Sequence, residues 1–210
     1  VWVIQAWQAN PRPELIRNLE TGDLLILDLT SECRPQWGDP ESEWYRKDGY
    51  GKHNWVYCML LNYGANVGLH GKMDNVIDNY YLAKENLRAR ATLKGVGMTP
   101  EGIENNPVMY ELLMELPWRP ERFTKEDWLK GYVKARYGKD EPVLQLAWGK
   151  LANSIYNAPK ELTQQGTHES VFCARPGLDV YQVSSWSEMK DYYDPQEVIE
   201  AARLMVSVAD

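Results

Sequence analysis

Four short apolar runs punctuate the first half of the chain: "VWVIQAW" (1–7), "LLILDLTSE" (24–32), "WVYCMLLNYG" (55–64) and "TLKGVGM" (92–98). Each gives way to a helical or irregular stretch, and this alternation is the tightest constraint on the fold. Strands separated by connections of that length pack as parallel neighbours, with the intervening chain crossing over the sheet. The second run is nearly continuous Leu and Ile, which predicts a strand covered on both faces. Between the first two runs, "NPRPELIRNLETGD" carries Pro near a helix start and Gly22 near its stop. Residues 73–85 set Val76, Ile77, Tyr80 and Tyr81 on one helical face. The loop from Cys33 to Asn54 is too long for a simple connector, which marks it as a candidate functional loop.

The pattern changes after Trp118. Asn106 can cap a helix, Pro107 suits its first position, and "VMYELLMEL" continues at helical spacing. Thr124 and Asp127 then read as a capping box before "WLKGYVKARYG", with Gly138 as the stop. A second helix over about 142–157 places Leu144, Ala147, Trp148, Leu151 and Ile155 on one stripe, and "DPQE" (194–197) opens a third that runs to about Val208. The reading is a parallel α/β segment over residues 1–120 and the beginning of an all-helical domain over 121–210.

Charge narrows the partners. With 23 basic against 30 acidic residues the net charge is −7, and no Lys/Arg run stands out. A nucleic-acid surface and an anionic-membrane surface are therefore not expected. The apolar runs are too short to span a bilayer. Cys33, Cys58 and Cys173 form no CxxC and are read as buried free thiols; His53, His70 and His168 make no zinc signature. Nine Trp and 13 Tyr against 2 Phe favour rings with a polar edge. Such rings suit either a carbohydrate-binding surface or a Trp-rich core. Val1 lies inside an apolar run with no initiator Met or leader signal, so the sequence reads as a piece of a longer protein.

In parallel α/β folds the loops at the carboxyl ends of the strands build the site. Glu101 falls just past the fourth run, held between Pro100 and Gly102, where a barrel enzyme keeps a catalytic group. Asp28, inside the second run, has structural and site-supporting readings, and Glu32 lies just beyond it. Trp7 can floor a sugar subsite or serve the core. Asn62 and Asn66 follow the third run, where their amides can reach substrate hydroxyls or shape a loop. Glycoside hydrolysis uses two carboxyl groups, and only Glu101 is a strong candidate here. The second is expected before Val1.

The same stretches, with "WVYCMLLNYGANVGLHG", "GVGMTPEGIENNPVMYELLMELPW" and "SIYN", resemble the α-N-acetylglucosaminidases of glycoside hydrolase family 89. The resemblance runs from Val1 to about Pro176 and is densest over 55–71 and 95–118. It implies the C-terminal half of a (β/α)8 TIM barrel followed by the first helices of an all-α domain. It implies that Glu101, in the family's PEG motif, is the nucleophile of a retaining reaction, and that Trp7 lines the sugar pocket. Tyr57, Asn62 and Asn66 match the family's "WCMLHNFGGN" segment and are implied substrate-binding residues. Tyr57 stands there for the family's Trp, Leu61 for its His and Ala65 for its second Gly.

The implied substrate is a glycan with a terminal, non-reducing α-linked N-acetylglucosamine, of the heparan sulfate type in some members. No metal or organic cofactor is implied. The acid/base glutamate and the first half of the barrel have no counterpart in these residues. The piece is thus expected to be inactive alone and to be completed by the missing barrel half. The implied location is extracytoplasmic: periplasmic or secreted in a bacterium, lysosomal in an animal. Two other readings stand beside it, a non-catalytic carbohydrate-binding or structural module, and a retaining glycosidase for another α-glycoside.

Overall fold

A computed structural model of the chain describes residues 1–7, 11–38, 49–61, 68–100, 106–159, 178 and 192–209. The four apolar runs form strands β1 (Trp2–Ala6), β2 (Leu24–Asp28), β3 (Asn54–Met59) and β4 (Leu93–Met98). They make one all-parallel sheet in the order β1-β2-β3-β4. The helices are α1 (Pro13–Ile16), α2 (Met73–Glu85), α3 (Leu87–Thr92), α4 (Pro107–Glu115), α5 (Lys125–Tyr137), α6 (Pro142–Asn153) and α7 (Pro195–Ser207), with a 3-10 turn at Leu116–Trp118. The described residues group into two compact units. One is Val1–Leu60 with Asn75–Pro100 and Leu113–Arg122; the other is Leu61–Asp74 with Glu101–Leu112 and Phe123–Asp210.

In the first unit, side-chain alternation divides the sheet into two unlike faces. Leu24, Ile26, Asp28, Trp55 and Tyr57 share one face and are buried. The Trp55 indole N–H donates to Ala89 O of α3 at 2.8 Å, and the Tyr57 hydroxyl donates to Val76 O of α2 at 3.1 Å. Trp37 stacks on Trp55, and Tyr80 meets Tyr57 edge-on. The other face carries Leu25, Leu27 and Val56, all half-buried. This corrects the expectation that β2 is covered on both faces: its burial alternates, because the described residues place no layer against the second face. β1 is an edge strand, with Trp2 72% and Val3 60% exposed.

In the second unit, Thr124 Oγ1 accepts from Asp127 N to start α5, and Gly138, at φ 70°, ends it as the expected left-handed cap. Trp128 stacks on Tyr132, which meets Trp148 of α6 edge-on. Helix α6 is shorter than expected: it stops at Asn153, and the chain turns through Ser154–Tyr156. Residues 71–73 pair with 156–158, through Ala158 N to Gly71 O (2.8 Å) and Met73 N to Tyr156 O (2.9 Å). A Cβ on Gly71 would run into Met109 Sδ, so any larger residue there needs the Met109 side chain to move. Lys150 bridges to Glu197 (3.0 Å) and Glu200 (2.8 Å) of α7.

Among the described residues the aromatic skew serves mainly the core. Trp37, Trp55, Trp128 and Trp148 are buried, while Trp2 and Trp118 are exposed. Cys33 and Cys58 are buried free thiols, as expected; Cys173 lies outside the described residues.

Candidate active site at the carboxyl ends of the strands

Parallel pairing sends all four strand exits to one edge of the sheet. Ala6 of β1 registers with Asp28 of β2, and Asp28 with Tyr57 of β3. Trp7, directly after Ala6, is half-buried, and Ala6 O accepts from Leu29 N at 3.3 Å. The exits of β1 and β2 are thereby fixed side by side.

Asp28 is the best-defined carboxyl group at this edge. It is 0% exposed, and its Oδ2 accepts from Gln36 N (3.0 Å), Trp37 N (3.1 Å) and the Tyr50 hydroxyl (3.0 Å). Burial disfavours the charged form and pushes its pKa up to about 7, against the opposing pull of these donors. Of the two readings the sequence left open for Asp28, the geometry fits the supporting one. The side chain draws both ends of the long β2–β3 loop onto the end of β2.

The turn after β2 is knitted further. Ser31 N donates to Cys58 O at 3.1 Å, and Asn79 Nδ2 reaches Ser31 O (3.1 Å) and Glu32 O (3.2 Å). Glu32 is buried in that turn. Tyr57, expected among the substrate-binding residues, lies instead on the helix-covered face with its hydroxyl committed to Val76 O. Burial raises its pKa well above the usual phenol value.

The exit of β4 is pinned to the end of β3, because Thr99 donates through both its N–H (3.1 Å) and its hydroxyl (2.9 Å) to Met59 O. Pro100 follows. Glu101, Asn62 and Asn66 lie outside the described residues.

Within the second unit, Asn106 departs from the capping role expected of it. Its φ is +60°, and its side chain turns to the 68–70 segment. There Oδ1 accepts from His70 N and Nδ2 donates to Gly68 O, each at 3.1 Å. His70, read in the sequence only as an isolated histidine, is buried with its Nδ1 3.0 Å from the Tyr192 hydroxyl. No motif flagged these contacts; an Asn before Pro at a helix start was the only sequence signal. Among the described residues no group of His, Cys, Asp and Glu is arranged to hold a metal, and no helix is long and apolar enough to cross a membrane.

Comparison with known proteins fits this arrangement. Residues 1–120 match the α-N-acetylglucosaminidase TIM-barrel domain, and residues 128–210 match the C-terminal domain of the same proteins. The chain belongs to the α-N-acetylglucosaminidase family, glycoside hydrolase family 89. It is 31% identical to human α-N-acetylglucosaminidase over its whole length, covering 27% of that protein. A family 89 glycoside hydrolase from Clostridium perfringens, solved with PUGNAc, superimposes with a TM-score of 0.83 at 30% identity. The same enzyme with two glutamates replaced by glutamine, solved with its substrate GlcNAc-α-1,4-galactose, gives 0.82 at 28%. Each superposition covers 99% of this chain and 22% of the other. The chain thus spans about a quarter of the length of the relatives it matches. Its parallel sheet belongs to a TIM-barrel domain, and the helices from residue 128 onward belong to the family's C-terminal domain.

Proposed function

We propose that this chain is the nucleophile-bearing portion of a retaining α-N-acetylglucosaminidase, with Glu101 as the nucleophile. One observation supports the reading: the chain matches the family along its length, and its sequence carries a PEG motif shortly after the last residue of β4. Glu101 attacks the anomeric carbon of a terminal α-linked N-acetylglucosamine. As the bond from that carbon to the leaving oxygen breaks, a second glutamate gives the oxygen its proton. The same glutamate then takes a proton from water, which attacks the covalent glycosyl-enzyme and frees the sugar with its configuration retained.

The second glutamate lies outside these 210 residues in this reading. The bacterial relative supports that, since its two replaced glutamates are more than a hundred positions apart in its sequence. The half-open sheet face and exposed β1 edge fit completion by the rest of a barrel. The substrate is a glycan ending in α-linked N-acetylglucosamine, heparan sulfate-type in an animal host, and the setting is extracytoplasmic.

The test is hydrolysis of 4-nitrophenyl α-N-acetylglucosaminide by the full-length parent, its Glu101→Gln variant and the 210-residue chain. An active parent, a variant slowed at least about a thousandfold and a silent chain are expected. Glu101-dependent turnover by the short chain would place both carboxyl groups within it, with Glu32 the next candidate. A parent that cleaves other α-glycosides in preference, or binds sugars without cleaving them, would overturn the specificity or the activity.

A further inference from the structure

Asp28 is a carboxyl group that the proposed reaction does not use, and it is buried where strand exits meet. It ends β2 in register with Ala6 of β1 on one side and Tyr57 of β3 on the other. Its Oδ2 takes all three donors, Gln36 N, Trp37 N and the Tyr50 hydroxyl, while Oδ1 has no partner among the described residues. An ionised carboxylate offers acceptor sites on both oxygens and, when buried, is usually paired with a cation. Donors that converge on one oxygen suit a neutral acid instead: one oxygen accepts, and the other carries the proton. The same network holds a buried, unpaired acceptor in Gln36 Oε1.

The groups that face Asp28 agree with the neutral form. Tyr50 donates to it from the β2–β3 loop. Tyr57 and Cys58 of β3 are kept neutral first by burial and then by the nearby carboxyls of Glu32 and Asp28. No cation is among the groups that set the proton affinity of Asp28.

What the carboxyl holds is also held by a ring. Trp37 and Tyr50 both lie on Trp55, with centroids 5.9 and 5.8 Å from it. Their polar atoms are secured by Asp28 and their rings by Trp55. Next to this node, Leu29 N donates to Ala6 O, directly before Trp7, and Ser31 N donates to Cys58 O. All of these residues belong to the first unit.

Resting on the reading of the parent as a hydrolase, we propose that Asp28 is a positioning residue that works as a neutral acid: protonated, it latches Gln36, Trp37 and Tyr50 onto the end of β2, and as it ionises it weakens that latch and the strand exits beside it. The closed latch keeps the proton up to about pH 7, whereas a solvated aspartate keeps it only to about pH 4. The latch is therefore firmest below about pH 4, weakens as pH rises, and is at its weakest above about pH 7.

The experiment uses the full-length parent with Asp28→Asn, whose amide offers one acceptor and a donor, as the neutral acid does, but cannot ionise. Hydrogen exchange of the peptide that carries Gln36 and Trp37, corrected for the intrinsic rate, reads the latch. In the parent, protection should fall by up to about tenfold per pH unit between about pH 4 and about pH 7 and then level off. In Asp28→Asn it should stay flat. With the 4-nitrophenyl substrate, kcat/KM of the variant relative to the parent should rise about threefold or more from about pH 5 to about pH 8. The same pH dependence of exchange in both proteins would overturn the latch. Exchange that differs as expected, with a flat activity ratio, would overturn the positioning role. Should Asp28→Asn fail to fold, Tyr50→Phe decides the matter. It keeps the carboxyl and removes one donor to the charged form, so the levelling-off must move to higher pH, and an unmoved one overturns the latch. A parent that shows the exchange pattern without cleaving the substrate would sink the hydrolase reading, and the positioning role with it, while the latch stands.

Discussion

The two faces of the sheet are made from the same strands and much the same residue types, yet they end in different states. On one, Leu24, Ile26, Trp55 and Tyr57 are sealed, and the indole and phenol polar atoms find helix carbonyls. On the other, Leu25, Leu27 and Val56 stay half-buried, and β1 lies open at the edge on both faces, through Trp2 and Val3. Apolar composition does not decide burial; what lies opposite does. The sealed face is closed where α2 and α3 cover β2 and β3. The open one has the character of a surface made to be covered, as barrel interiors are filled by side chains from every strand.

The contrast can be broken most sharply at Trp55. Trp55→Ala removes a fully buried ring and its hydrogen bond to Ala89 O, and it should cost about 3–5 kcal/mol in chemical denaturation. A cost under about 1 kcal/mol would mean that the helix-covered face is not the core. Asp28 tests the same face through pH. Its native pKa of about 7 lies above the ordinary 3.8, so the folded state holds the proton more tightly than the unfolded one. The stabilisation is full below about pH 4, declines at up to about 1.4 kcal/mol per pH unit, and is gone above about pH 7. Asp28→Asn should remove that slope, and superimposable pH profiles would show that Asp28 is ionised throughout. The smallest effect belongs to the open edge. Val3→Lys should shift stability by no more than about 0.5 kcal/mol while reducing self-association in sedimentation, because a lysine blunts an exposed strand edge.

The strands, α2 and the caps of α5 were legible because each rests on a local signal: an apolar run, a 3.6-residue stripe, or Thr124 and Gly138 at the ends of one helix. Helix α3 was not. Its six residues, LRARAT, are too few to show a stripe, and the cap at Asn86, whose Oδ1 accepts from Arg88 N and Ala89 N, starts it. The site divides in the same way. Trp7 and Glu101 were singled out by their position after an apolar run, and Glu101 lies outside the described residues. The Asp28 network and the Asn106 clasp join residues from 8 to 38 positions apart, and no periodicity encodes them. Tyr57 came from its match to the family segment, and such a match does not tell which face of the sheet the ring takes.

Strand order equal to chain order has a kinetic consequence. As the polypeptide is synthesised, each strand meets a neighbour already made, so the sheet can grow from one side without waiting for a distant segment. The span to be closed lengthens at each addition, from Trp2 with Leu24, through Leu25 with Asn54, to Trp55 with Leu93. Longer closures are slower. β4, the strand that precedes the PEG motif in the sequence, is therefore the last of the four to dock.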